Sequence, residues 1–143
     1  MATTNLRART HVRPADAAIR VVIVGLTLST AAIHASLGGM LFLANALAYV
    51  TFAAAMIVPG PLGRVRWLVR IGLLGFTAAT IGGWVLFGAR FPLAYLDKGI
   101  ELGLMAAIAL EIWRVDSGPF GLVRKARRLV ARLSGLQVAK GRR

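Results

Sequence analysis

The chain of 143 residues contains no cysteine. Disulfides, thiolate nucleophiles and cysteine-ligated metals are excluded with it. Acidic residues are also scarce, with five Asp and Glu against eighteen Lys and Arg and a formal net charge of +13. Residues 21–63 carry no Asp, Glu, Lys or Arg at all. There are two histidines, His11 and His34, and only His34 lies in an apolar stretch. A haem held by two intramembrane imidazoles is therefore ruled out. No GxSxG, HExxH or P-loop pattern occurs, and the serines near His34 (Ser29, Ser36) do not suggest a hydrolase. The expectation is a protein without enzymatic activity and without a cofactor.

What the chain does contain is apolar sequence: 57% hydrophobic residues, a mean hydropathy of +0.70, and recurring apolar runs. Runs of about 20 residues match the length a helix needs to cross about 30 Å of hydrocarbon. Helices are the expected element, because an unpaired backbone amide in lipid costs several kcal/mol. Four spans fit, at residues 19–37, 39–58, 67–87 and 94–113. The uncharged stretch is too long for one crossing. "SLGG" (36–39) divides it, since glycines permit a tight helical hairpin, and "PGPLG" (59–63) ends the second span. The expected organisation is a basic arm (1–18), a four-span domain (19–115) and a basic tail (116–143). A cleavable signal peptide is the rival reading of the first span, with "STAA" (29–32) as small residues of the right kind. The long charged leader and the continuing apolar stretch favour a retained span.

The distribution of basic residues sets the orientation. Arg7, Arg9, Arg13 and Arg20, then Arg64, Arg66 and Arg70, then the tail from Arg114 to Arg143 all fall on one side, leaving Arg90 and Lys98 on the other. Both termini are expected in the cytoplasm of a bacterium, with the protein multi-pass in its inner membrane. Trp67 and Trp113 would mark the inner boundary, and Trp84 and Tyr95 the outer one. Because the basic residues flank apolar spans and form no single groove-shaped patch, no nucleic-acid partner is expected.

The tail reads as a helix. In "PFGLVRKARRLVARLSGL" (119–136), Leu122, Leu129, Leu133 and Leu136 share one face, with Arg124, Lys125, Arg127, Arg128 and Arg132 on the other. Asp116 or Ser117 could cap it, and Pro119 suits its first turn. An amphipathic helix lying on an anionic inner leaflet is the expectation; a solvated basic tail is the plainer alternative.

The fourth span departs from the rest by carrying Asp97, Lys98, Glu101 and Glu111. Asp97 and Lys98 lie near the outer boundary and could reach headgroups there. Glu111 lies near the inner boundary and could pair with Arg114 at i, i+3. Glu101 has no boundary to escape to, at a cost of about 2.5–3.5 kcal/mol for a charge at mid-membrane depth. Asp97, Glu101, Leu104, Ile108 and Glu111 form one stripe on a helical wheel, and that stripe should face protein. His34, Asn45 and Tyr49 lie at matching depth. The candidate polar or proton site is therefore His34, Asn45, Tyr49, Asp97, Lys98 and Glu101, or the same residues form a network that only fixes helix register. His34, Asp97 and Glu101 are acceptable metal ligands, but nothing in their spacing demands a metal, and none is expected. Gly75, Ala79 and Gly83 on span three, and Gly99, Gly103 and Ala107 on span four, form small-residue ridges suited to close helix packing. Since Gly103 and Glu101 lie on different sides of span four, self-association or docking on a larger membrane complex is one expectation.

The segments "IHASLGGMLFLANALAYV" (33–50) and "FPLAYLDKGIELGLMAAIALE" (91–111) resemble parts of small, uncharacterised bacterial four-span membrane proteins. There too a His closes the first span and an "FLxNA" run opens the second. The resemblance implies a four-helix membrane fold and carries no activity. The leading expectation is an accessory or structural membrane protein. The alternative is a small proton- or cation-coupled transporter using the Glu, Asp and His cluster.

Overall fold

The computed structural model describes residues 14–58 and 65–140, with 132–140 as helix backbone only. The described residues form five helices and no strand: α1 (Pro14–Leu37), α2 (Met40–Ile57), α3 (Arg66–Phe87), α4 (Pro92–Val115) and α5 (Gly118–Lys140). Arg7, Arg9, His11, Arg13, the "PGPLG" stretch and Arg64 lie outside the described residues. α1 begins at Pro14, inside the stretch expected as an arm. Proline suits a first helical turn, where its missing N–H has no partner to lose.

α1, α2 and α3 are each long and apolar enough to cross a membrane. α4 is as long as α1, at 24 residues. It does not join them on composition, because it carries Asp97, Lys98, Glu101, Glu111 and Arg114.

The first four helices, α1 to α4, form the bundle. α1 packs against α2 and α4, and α3 closes the ring against the same two, more loosely. Two tight connections lie at one end, here the turn end. Between α1 and α2, Gly38 and Gly39 take φ of 69° and 79°, a left-handed conformation that costs an L side chain about 1–2 kcal/mol. Between α3 and α4, the Gly88 amide donates to the Trp84 carbonyl at 2.8 Å, and Pro92 opens the next helix. The other end, here the terminal end, holds the start of α1 and the corner into α5. Ser117 and Gly118 turn that corner with φ of 60° and 71°.

The polarity of the bundle is inverted relative to a water-soluble one. Buried between the helices are Thr27, Thr30, His34, Arg70, Thr77, Asp97, Lys98, Glu101, Glu111 and Asp116. Exposed on the outside are Val21, Leu28, Leu43, Leu47, Ile71, Val85, Leu96, Leu102 and Leu110. A soluble domain rarely presents so continuous an apolar surface, whereas a bilayer is a matching solvent for it. The apolar core is thin, a column of Ile23, Tyr49, Met56, Leu73, Leu104 and Ile108. It separates two buried polar clusters, one towards each end.

Candidate functional site

The stripe Asp97, Glu101, Leu104, Ile108 and Glu111 is buried along its whole length. Its spacing of three and four residues keeps these side chains on one side of α4, so a single helix supplies carboxylates to both clusters.

Towards the turn end, Lys98 folds back along its own helix. Its Nζ lies 2.5 Å from Glu101 Oε2 and 3.0 Å from Asp97 Oδ2. Thr30 of α1 donates its hydroxyl to Asp97 Oδ1 at 2.5 Å. Tyr49 of α2 donates to Glu101 Oε1 at 2.8 Å. Thr80 of α3 stands 3.0 Å from the same oxygen, and can give its proton there or to the Thr77 carbonyl at 2.8 Å. All four helices therefore contribute. His34 completes the cluster, with Nδ1 3.0 Å from the Thr30 carbonyl and 3.7 Å from Asp97 Oδ1. A carbonyl only accepts, so Nδ1 carries a proton in this contact. The ring sits between Phe42 and Tyr49, at centroid distances of 6.0 and 5.6 Å.

The cluster forms the floor of a cavity of about 480 Å³. His34, Asp97 and Lys98 line it, together with Asn45, Thr80 and the aromatic walls Phe42, Phe76, Trp84 and Phe91. Glu101 does not reach the cavity; it is fully buried behind Lys98 and Tyr49.

Five of the six expected site residues thus meet through hydrogen bonds, ion pairs or ring contacts. Asn45 shares only the cavity wall, and its side chain has no hydrogen bond to any described residue. Asp97 and Lys98 do not reach outward to headgroups, as their place near the boundary suggested. They are 2% and 7% exposed, because each finds its counter-charge inside the bundle. Thr30 and Thr80 were missed. Threonine is common in apolar helices, and only the four-residue spacing of Thr30 from His34 hinted at a shared face.

The ligand atoms of His34, Asp97 and Glu101 all lie within 4.8 Å of one another. That geometry alone would suit a metal. However, the Lys98 ammonium bridges the two carboxylates at the edge a metal would need to share, so a divalent ion would have to displace it against like-charge repulsion.

The second cluster lies towards the terminal end, and most of it escaped the sequence reading. Glu111 is fully buried and pairs with Arg20 of α1 at 3.2 Å and with Arg70 of α3 at 3.0 Å. Arg70 also bonds Asp116 at 2.5 Å, and Asp116 takes Lys125 of α5 on its other oxygen. The expected pairing of Glu111 with Arg114 is not made. Arg114 instead meets Asp16 at the surface, at 3.2 Å, because guanidinium groups from two other helices already reach Glu111 at its own level. Asp116 holds this cluster together and supplies no side-chain cap to α5. The flanking-charge pattern shows Arg20 and Arg70 only as boundary charges, because their partner lies on another helix.

The small-residue ridges are largely exposed and are not clasped along their length by a neighbouring helix. Gly75, Ala79 and Gly83 are exposed, and no side chain stands within 4 Å of where a Cβ would be at Gly75 or Gly83. Ala79 and Gly83 line the cavity, so on α3 the small residues make room there. On α4, Gly99 and Gly103 are exposed and Ala107 is half-buried; Gly103 meets only Leu26 of α1, at 3.9 Å. On α5, Arg124, Arg127 and Arg128 are exposed, whereas Lys125 is engaged by Asp116 and is not free for headgroups. The Arg132 side chain lies outside the described residues.

No protein-family model, curated protein or solved structure matches the chain.

Proposed function

We propose that this is a four-span protein of a bacterial inner membrane, both termini cytoplasmic, that works as a small proton- or cation-coupled transporter and catalyses no reaction. The observation that carries the reading is the cavity of about 480 Å³ with His34, Asp97 and Lys98 at its floor. At the opposite end of the same bundle, Arg20, Arg70, Glu111 and Asp116 are locked in ion pairs. A cavity near one end of the bundle with ion pairs closing the other fits a carrier resting in one of two access states.

Four crossings are supported by the direction of the α4 charges. Asp97, Lys98, Glu101 and Glu111 are turned inward, while Leu93, Leu96, Leu102 and Leu110 are presented outside, so lipid meets an apolar helix. The concentration of Lys and Arg at the terminal end supports the cytoplasmic placement of both termini. Phe120 and Val123 stand exposed on α5 beside Arg124, Arg127 and Arg128. That pairing favours contact with an anionic inner leaflet. In nanodiscs, amide exchange in α5 should slow when anionic lipid replaces neutral lipid; equal exchange in both would remove the membrane role of α5.

Transport is tested by reconstituting the full chain in vesicles with an internal pH dye. An imposed ion or solute gradient should drive a pH change that Glu101→Gln and Asp97→Asn abolish. Identical traces from empty vesicles, wild type and variants would end the transport reading.

A second reading, an accessory or self-associating membrane subunit, is favoured by one observation. Gly99 and Gly103 present an exposed small-residue face on α4, opposite the ionisable stripe. Native mass measurement in mild detergent decides it, and a strictly monomeric chain would exclude self-association.

A further inference from the structure

We infer that the solute taken by the cavity is an organic cation, a protonated or quaternary ammonium on an apolar body. This rests on the reading of the cavity as a binding site and names the chemistry that site selects.

The first argument is charge. Asp97 and Glu101 contribute two negative charges and Lys98 one positive. His34 donates through Nδ1 to a carbonyl, a contact that leaves Nε2 open to a second proton, and Tyr49 and the threonines are neutral donors. With His34 neutral, one negative charge is left without a counter-ion, and a second proton on His34 or a bound cation would supply it. Arg90 does not line the cavity; its guanidinium is stacked 4.2 Å from the Trp84 ring centroid and bonded to the Val85 carbonyl. The unbalanced charge favours one more cation on the floor and disfavours an anion.

The second argument is the wall. Phe42, Phe76 and Phe91 line the cavity that Asp97 also lines, and the small Ala79 and Gly83 lie in the same wall. Ring faces attract cations and accept apolar groups equally, which is the surface an amphipathic ammonium needs. The third is Lys98 itself, an alkyl ammonium already seated between two carboxylates. An incoming ammonium would take the place of Lys98 at Asp97 Oδ2 while Lys98 keeps Glu101 and Thr30 keeps Asp97 Oδ1. The site thus displays, on its own side chain, the chemistry it accepts from outside.

The test uses the full-length protein in detergent, titrated calorimetrically with phenylbutylammonium, the neutral phenylbutanol and the anionic phenylbutyrate. The ammonium should bind at least about tenfold more tightly than the alcohol, and the carboxylate not measurably. Asp97→Asn should reduce that preference to roughly threefold or less while leaving the alcohol's affinity in place. Because Asp97→Asn could disturb packing, Gly83→Leu is the companion variant. Gly83 is exposed with no heavy atom within 4 Å of its Cβ position, so the chain accepts the side chain and the cavity is filled. Gly83→Leu should keep the wild-type circular dichroism spectrum and lose ammonium binding. Equal affinity for ammonium and alcohol would overturn the cation inference and leave the binding cavity standing. Ammonium binding unchanged by Gly83→Leu would place the cation elsewhere and also overturn it. Failure of all three probes to bind would overturn both the inference and the reading beneath it.

Discussion

The two buried clusters are built from the same materials on the same helix, yet they differ in closure. At the terminal end three cations, Arg20, Arg70 and Lys125, share two carboxylates, Glu111 and Asp116, and the pairs tie α1, α3, α4 and α5 together. At the turn end two carboxylates share one ammonium, and a cavity stands over them. The difference teaches which charges hold the bundle and which are left available. Arginine accounts for part of it, because a planar guanidinium reaches two carboxylates at once: Arg70 meets both Glu111 and Asp116. Lys98 also reaches two carboxylates, but as one point charge on a flexible stem, where the terminal cluster supplies three cations to its two.

The sharpest way to break the contrast is to remove the centre of the terminal cluster. Arg70→Leu leaves buried carboxylates short of a cation and should cost about 3–5 kcal/mol. The loss is read as a lower midpoint when the protein is unfolded by dodecyl sulfate in mixed micelles. An unchanged midpoint would mean that the terminal cluster does not clamp the helices. Glu101→Gln should cost less, about 1–3 kcal/mol, since an amide keeps partners for Tyr49 and Thr80 while Lys98 retains only Asp97. Adding Lys98→Met should recover part of that loss, and a double-mutant cycle returning simple additivity would show that the pair is uncoupled. Lys125→Ala is the mildest change. The Lys125 side chain is 41% exposed, so loss of its ion pair should cost less than about 1 kcal/mol. Faster amide exchange confined to the first turns of α5 is the expected sign. Exchange spreading into α1 or α3 would show instead that α5 is part of the clamp.

Much of the architecture was legible from spacing alone. The helix ends at Leu37, Ile57 and Phe87 fall within a residue of the apolar boundaries at 37, 58 and 87. Glycine at 38–39 and proline at 92 punctuate the chain by local sterics that no neighbour needs to supply. The inward stripe on α4 followed from helical periodicity. Pairing did not follow. Glu111 has a suitable arginine three residues away, yet it takes its partners from α1 and α3. Local spacing could not rank those choices, because the deciding quantity is the distance between side chains 41 and 91 positions apart. The ridge on α3 raises the same question of distance. Gly75, Ala79 and Gly83 carry the periodicity of a packing face, but whether small residues admit a neighbour or leave a space depends on where α2 lies.

By itself, then, the sequence determined the helices, their turns and which side of α4 must avoid lipid. These follow from backbone hydrogen bonding, from the reach of apolar runs and from a period of 3.6 residues, all of which act locally. The tertiary structure alone decided that Asp97 and Lys98 turn inward, that Glu101 is sealed behind Tyr49 and Lys98, and that a cavity remains above them. Those outcomes depend on the spaces between helices, and the balance of charge in a space is set only once every wall has been placed.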